Sequence, residues 1–386
     1  MSFLRRQLDK IAPLFEEGGR LHKLYPLYEA ADSFLYTPGR RTSEGPHIRD
    51  GIDLKRTMMT VVWALLPCAL FGMWNAGRQA GLAAGQDPGA AEAFLAGLLM
   101  FLPRYLVVMA VGGGIETVFA AVRKHEINEG FLVTGLLIPL IVPPTIPLWQ
   151  LALGTAFGVV IGKEVFGGTG MNVLNPALTT RVFLFFAYPA QISGDLVWVA
   201  GREHWLDGFS GATPLAHFYA DGAAATAGMS WSDAFLGLMP GSFGETSTLC
   251  CLIGAAILLF TRIASWRVML GCLLGMAGTA SLFNLLAPSP EHYLALPWYW
   301  HLVVGGFAFG TVFMATDPVS AAQTDTGRWI YGVLIGVLTV LVRVVNPAYP
   351  EGMMLAILFM NIFAPVIDYY VVKANVKRRE QRLGVQ

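Results

Sequence analysis

The stretch Asp207-Gly-Phe-Ser210-Gly211-Ala212-Thr213 offers the most specific chemistry in this chain. A threonine hydroxyl follows three small residues there. Such a hydroxyl can form a phosphoester with an incoming phosphate group, and small neighbours let a modifying enzyme approach the backbone closely. The same string also suits an ordinary exposed turn, because Asp, Gly and Ser favour turns.

A second constellation is Gly167-Gly168-Thr169-Gly170-Met-Asn172-Val-Leu-Asn175-Pro176. It sets three glycines, a hydroxyl and two carboxamides before an apolar run. Unwound backbone at membrane depth persists only where protein or a cavity satisfies its polar groups. Two readings stay open: a turn whose Asn residues cap the next helix, or a non-covalent flavin pocket, because Asn can donate to and accept from a pyrimidine edge at once.

Carboxylates within apolar runs are costly unless paired or functional, which singles out Glu116, Asp317 and Asp368 as candidates for an ion path. Asp317 also suits a helix cap before Pro318, and Asp368 the headgroup level. Gly112 and Gly113 could let a flat quinone ring approach a helix, although small residues more often serve helix packing. Arg181 must snorkel or find an internal carboxylate. Lys163 and Glu164 read as a solvated pair, and Trp205, Tyr219, Trp298 and Trp300 as an outer aromatic belt. Cys68, Cys250, Cys251 and Cys272 lack metal-ligand spacing and read as core, so no metal site is assigned.

These residues need elements to position them, and composition says which kind. Of 386 residues 55% are apolar and only 13% charged, against roughly 25% charged in soluble domains. Mean hydropathy is +0.55. The expected fold is an all-α polytopic membrane protein of about ten transmembrane helices, at 57–76, 98–120, 131–146, 147–163, 175–190, 247–263, 266–286, 297–316, 328–345 and 353–372. The third to fifth are short or interrupted by Pro. A net charge of zero argues against nucleic acid as a partner.

Lys and Arg fall on alternate connections. Arg40, Arg41, Arg49, Lys55, Arg56, Arg123, Lys124, Lys163, Arg262, Arg267, Arg328 and the tail lie on one side, and Arg78, Arg104, Arg202 and Arg343 on the other, a bias of roughly four to one. Both termini are then cytoplasmic, and in a bacterium the membrane would be the inner membrane and the opposite face the periplasm. The expected organisation is an N-terminal arm at 1–56, a first five-helix repeat at 57–190, a periplasmic loop at 191–246, a second repeat at 247–372 and a basic tail at 373–386. A repeat supports this division: Gly158-Val-Val-Ile-Gly162 precedes Asn175-Pro-Ala, as Gly332-Val-Leu-Ile-Gly336 precedes Asn346-Pro-Ala. Five spans separate the copies, so the halves should be inverted, an architecture that puts ligand sites at helices broken by Gly and Pro.

The motifs also resemble a known family nearly throughout the chain. They include Leu27-Tyr-Glu29-Ala, Arg49-Asp-Gly-Ile-Asp-Leu-Lys55-Arg, the 165–177 segment, Ala187-Tyr-Pro-Ala, Met314-Ala-Thr-Asp317-Pro-Val-Ser and Val345-Asn-Pro-Ala-Tyr-Pro-Glu-Gly-Met. The chain resembles the flavinylated membrane subunits of sodium-translocating NADH:quinone oxidoreductases and of the related ferredoxin:NAD oxidoreductase complexes. The long arm, with Tyr36-Thr-Pro-Gly39, favours the quinone-reductase branch. The connection at 77–97 is shorter than the family leads one to expect.

The resemblance implies covalent FMN on Thr213, installed by a separate flavin transferase that reads Asp207, Ser210, Gly211 and Ala212. It further implies bound riboflavin, ubiquinone as substrate, outward Na+ translocation, lipid contact and partner subunits. It also implies a urea-transporter-like arrangement of the two halves. A passive channel or secondary transporter of the same fold, without redox function, would explain the repeat and the buried acids but not the outer loop bearing Ser-Gly-Ala-Thr.

Overall fold

The computed structural model describes residues 54–123, 130–346 and 351–384, and ahead of them a helix at 3–15, residues 19–21 and positions 25, 28 and 32. Most of the expected arm, Lys124 and the Pro347–Pro350 part of the second repeat copy lie outside the described residues. Helix α1 spans Phe3–Phe15, and the Phe15 ring stacks on Tyr28 at 5.4 Å.

Two long helices follow, α2 (Leu54–Ala83) and α3 (Ala90–Arg123). Their predominantly apolar interiors favour the helix, which satisfies every backbone group without water, and Glu92 and Arg123 match the dipole at the two ends of α3. The turn between them covers residues 84–89. Helix α4 (Gly130–Ile141) stops at Pro143-Pro144, and α5 (Leu148–Gly162) starts just beyond. At 1.5 Å per residue, the 12 residues of α4 reach only about 18 Å. Helix α6 (Pro176–Ala187) opens with Pro176 in its first turn and Asn175 as N-cap, whose Oδ1 accepts from the amides of Ala177 and Leu178 at 3.0 and 3.2 Å.

In the connecting segment at 191–246, α7 covers Pro214–Asp221. The second half contains α8 (Thr248–Phe260), α9 (Trp266–Leu286), the short α10 (Trp298–Val303), α11 (Asp325–Val345) and α12 (Met353–Leu383). After α10 the chain breaks at Gly305-Gly306 and passes through a wide helical turn at Gly310–Met314.

Five of these helices are long and apolar enough to cross a membrane: α2, α3, α9, α11 and α12. The positions expected to hold the third, fourth, fifth, sixth and eighth spans contain short or broken helices instead. The Pro-Pro, Gly-rich and Gly-Gly interruptions account for three of those ends. Among the described residues there is no strand.

Glycines set the helix spacing. A side chain at Gly275 or Gly336 would run into the backbone carbonyls of Val333 and Cys272, so α9 and α11 pack backbone to backbone. Gly158 likewise lies against Thr180 and Pro176, holding α5 to α6. The glycines of both repeat copies thus serve close helix approach. Cys68, Cys251 and Cys272 are buried in the main core and Cys250 is half-buried, with the Cys68 and Cys251 sulfurs 3.8 Å apart.

Candidate functional site

The connecting segment turns at Gly208, whose φ of 83° suits glycine. Asp207 and Ser210 are exposed, and the Ser210 hydroxyl accepts from the Ala212 amide at 3.3 Å. Gly211 lies under the loop: a Cβ there would come 2.5 Å from the Asp195 carbonyl and 3.0 Å from the Trp205 ring. Half-buried Thr213 is the N-cap of α7, its Oγ1 accepting from the Ala216 amide at a loose 3.4 Å. The hydroxyl therefore sits at a helix N-terminus, where backbone amides favour an anion such as phosphate.

Thr213 borders a cavity of about 290 Å³ whose wall includes Asp195, Trp198, Tyr219, Arg181 and Glu351. Arg181, 3% exposed on α6, donates to Glu245 Oε1 at 3.2 Å and to Glu351 Oε2. The internal carboxylate that Arg181 required is thus two carboxylates, one from the end of the connecting segment and one from just ahead of α12. Glu351 is fixed in turn by Arg343, which donates to its carbonyl at 2.9 Å and to the carbonyls of His301 and Val304 at 2.7 and 2.9 Å. The charge pattern places Arg343 with the outer charges, yet it is fully buried, because these carbonyls at the end of α10 need a donor. Trp300 is another departure. At 5% exposure it is core rather than belt, packing edge-on against Phe218 at 5.5 Å. Tyr293 lies beside it on the loop after α9, and burial pushes its phenol up to about 12. Tyr219 belongs to the cavity.

Ahead of the N-terminal end of α6, Gly167, Gly168 and Gly170 take φ of 125°, 98° and 89°, conformations that let the chain unwind between α5 and α6. Thr169, Asn172 and Asn175 line one cavity there, together with Lys163 and Asp317. Asn175 does two jobs: it caps α6, and its Nδ2 donates to Asp317 Oδ2 at 3.0 Å. Asp317 also accepts from the Val319 amide at 2.9 Å, so its capping and its place in the cavity coexist. Asn172 Nδ2 donates to the Leu174 carbonyl at 3.0 Å. The Thr169 hydroxyl is buried without a hydrogen-bond partner among the described residues, a cost of about 1–3 kcal/mol that a ligand's polar edge would offset. The cavity holds about 80 Å³, below the roughly 300 Å³ of typical small-molecule pockets.

The remaining candidates are dispersed. Glu116 is joined to Lys163, at 5% and 2% exposure. Glu164, 3% exposed, accepts from Arg123 at 3.2 Å. The pair read as solvated is therefore buried, because each member faces an opposite charge on α3. Asp368 accepts from the amides of Gln323 and Thr324 at 2.6 and 3.0 Å and so fastens the start of α11 to α12. A side chain at Gly112 would strike the Phe131 ring, and one at Gly113 would lie 3.6 Å from it. Sequence reasoning did not single out Lys163, Glu245 or Glu351 for the sites; the only signal available was that Arg181 and Glu116, within apolar runs, each require a counter-charge.

The sequence profile of the NQR2, RnfD, RnfE family matches residues 41–377. The chain belongs to this family. Among its NQR2, RnfD, RnfE relatives, a protein of Stutzerimonas stutzeri (strain A1501) is 55% identical over 404 residues, covering 98% of this chain and 99% of the relative. One from Chromohalobacter salexigens is 57% identical over 401 residues, covering 98% and 96%. One from Pseudomonas aeruginosa (strain LESB58) is 56% identical over 407 residues, covering 99% and 100%. All three are named as the same subunit of Na(+)-translocating NADH-quinone reductase.

Proposed function

We propose that this chain is the membrane subunit of a sodium-translocating NADH:quinone reductase that carries FMN in phosphoester linkage on Thr213. One observation carries the reading: the Thr213 hydroxyl stands at a helix N-terminus on the rim of a cavity of about 290 Å³. The fit is chemical as well as spatial. The α7 amides suit a phosphate, Trp198 and Tyr219 offer aromatic surface to a planar ring, and Asp207 and Ser210 are accessible to a flavin transferase. When bound, the flavin supplies one-electron chemistry; the protein supplies position, electrostatics and exclusion of water.

The second cavity is the proposed riboflavin site. Thr169, Asn172 and Asn175 provide the polar edge, and Asp317 extends that set. Its polar groups fit a flavin's pyrimidine rim; its width admits the ring only after movement of lining side chains such as Met58 and Phe313. Ubiquinone is the proposed substrate. A quinone at Gly112 and Gly113 would take the place of the Phe131 ring, so helix packing remains the better account of those glycines. For Na+ moving outward, Glu116, Asp317 and Asp368 supply hard oxygen ligands, with Glu116 bound to Lys163 at rest.

The proposed topology is that of two inverted five-helix halves with cytoplasmic termini and a periplasmic loop bearing Thr213, in a bacterial inner membrane among partner subunits and lipid. The test is in-gel flavin fluorescence after denaturation, for the chain co-expressed with a flavin transferase. Fluorescence in the wild type and none in Thr213→Ala is the expected result. No fluorescence in either, while the transferase labels a control protein, overturns the reading in favour of a passive channel or transporter.

A further inference from the structure

The cavity beside Thr213 has an unlike set of walls. It is lined by Thr213 and, from α6, by Arg181 together with Glu351, and Phe185, Trp198 and Tyr219 complete the lining. Arg181 lies in the middle of an apolar helix and is 3% exposed. A buried arginine is costly unless geometry and partners are good. Here two carboxylates from distant parts of the chain, Glu245 and Glu351, engage its two terminal nitrogens, and Arg343 anchors the Glu351 backbone. A packing role alone would not need a charged wall on a ligand-sized cavity.

We infer that Arg181, held by Glu245 and Glu351, faces the ring of the flavin carried by Thr213 and stabilises the negative charge that the ring acquires on reduction. The inference rests on the reading of Thr213 as the flavin attachment site. Were such a ring to take one electron from a one-electron carrier on a partner subunit, with no proton moved and no bond formed, it would gain one unit of negative charge. The guanidinium is already in place and does not reorganise at that moment, the condition under which fixed charges act most strongly. The surrounding apolar residues lower the local dielectric and lengthen its reach. A ring held at Arg181 would accordingly lie toward α6 rather than out from the loop.

The full chain is co-expressed with a flavin transferase and purified in detergent. In-gel fluorescence first establishes loading, and dithionite titration then gives the midpoint potential, with Thr213→Ala as the spectral blank. Arg181→Gln should make one-electron reduction at least tenfold less favourable, a fall of about 59 mV. Glu351→Gln should shift the potential in the opposite direction, because it removes a negative charge from the same wall. Arg181→Lys should fall between Arg181→Gln and the wild type. A general structural lesion would not produce opposite signs.

Loaded variants that all stay within twofold of the wild type, or that all shift the same way, overturn the role of Arg181. If Arg181→Gln does not fold or does not load, Glu351→Gln and Arg181→Lys decide by the same criteria. A non-fluorescent wild type instead refutes the flavin at Thr213 and leaves Arg181 out of account.

Discussion

Replacing Lys163 by Met should destabilise the protein far more than its position beside Gly162 at a helix end suggests. Lys163 and Glu116 are 2% and 5% exposed and joined to one another. Removal of one partner leaves an uncompensated charge in a low-dielectric interior, at about 3–5 kcal/mol. One kcal/mol moves Tm by roughly 2–4 °C in domains of 150–250 residues. Taking the lower figure for a larger chain, Lys163→Met should unfold about 6–10 °C earlier. The double variant Lys163→Met, Glu116→Leu removes both charges and should recover to within about 2 °C of the wild type. Thermal unfolding in detergent at one fixed scan rate measures both. A loss below about 2 °C for the single variant, or a double variant no better than the single, would refute the assignment of a buried, mutually dependent pair. A double variant that is stable but has lost Na+ transport would show that the pair is kept for function.

Gly211→Val should reduce covalent flavin at least tenfold by quantitative in-gel fluorescence while leaving helix content by circular dichroism unchanged, because the new side chain meets the Asp195 backbone and the Trp205 ring. Normal labelling would mean that the loop has slack there. Thr169→Val should raise the stability of the flavin-free protein by about 1–3 kcal/mol, since it removes a buried hydroxyl that has no partner among the described residues. It should nevertheless reduce non-covalent flavin retained through gel filtration roughly tenfold, the equivalent of about one hydrogen bond; unchanged retention would remove Thr169 from the pocket.

Much of the architecture was legible because it obeys one-dimensional rules. The long apolar runs became long helices, and Pro143-Pro144 and Gly305-Gly306 ended helices where their chemistry requires. Thr169, Asn172 and Asn175 could be grouped because they are close in sequence, and the cavity does gather them. What sequence could not give was pairing at a distance. Lys163 and Glu164 look solvated because they are adjacent and opposite in charge, yet their partners lie 47 and 41 residues earlier. Glu245 and Glu351 sit 64 and 170 residues after Arg181, separations at which no local periodicity speaks. Arg343 misleads for a related reason: a charge near a span end looks exposed until the helix break that it serves is known.

Helix α6 belongs by chain order to the first half, yet its polar fastenings run to the second. Asn175 at its start holds Asp317, and Arg181 near its centre holds Glu245 and Glu351, while α2 from the first half packs against α8 from the second. Covalent continuity through the long connecting segment is therefore not what keeps the halves together, although the end of that segment shares in the fastening: Glu245 accepts from Arg181, the Met239 carbonyl from Asn75, and the Ser242 hydroxyl donates to the Ile141 carbonyl. A chain severed ahead of residue 239 should remain a single particle, and the two fragments, translated from separate messages, should find each other in the bilayer. Insertions and deletions at 239–245 would instead loosen the joint itself.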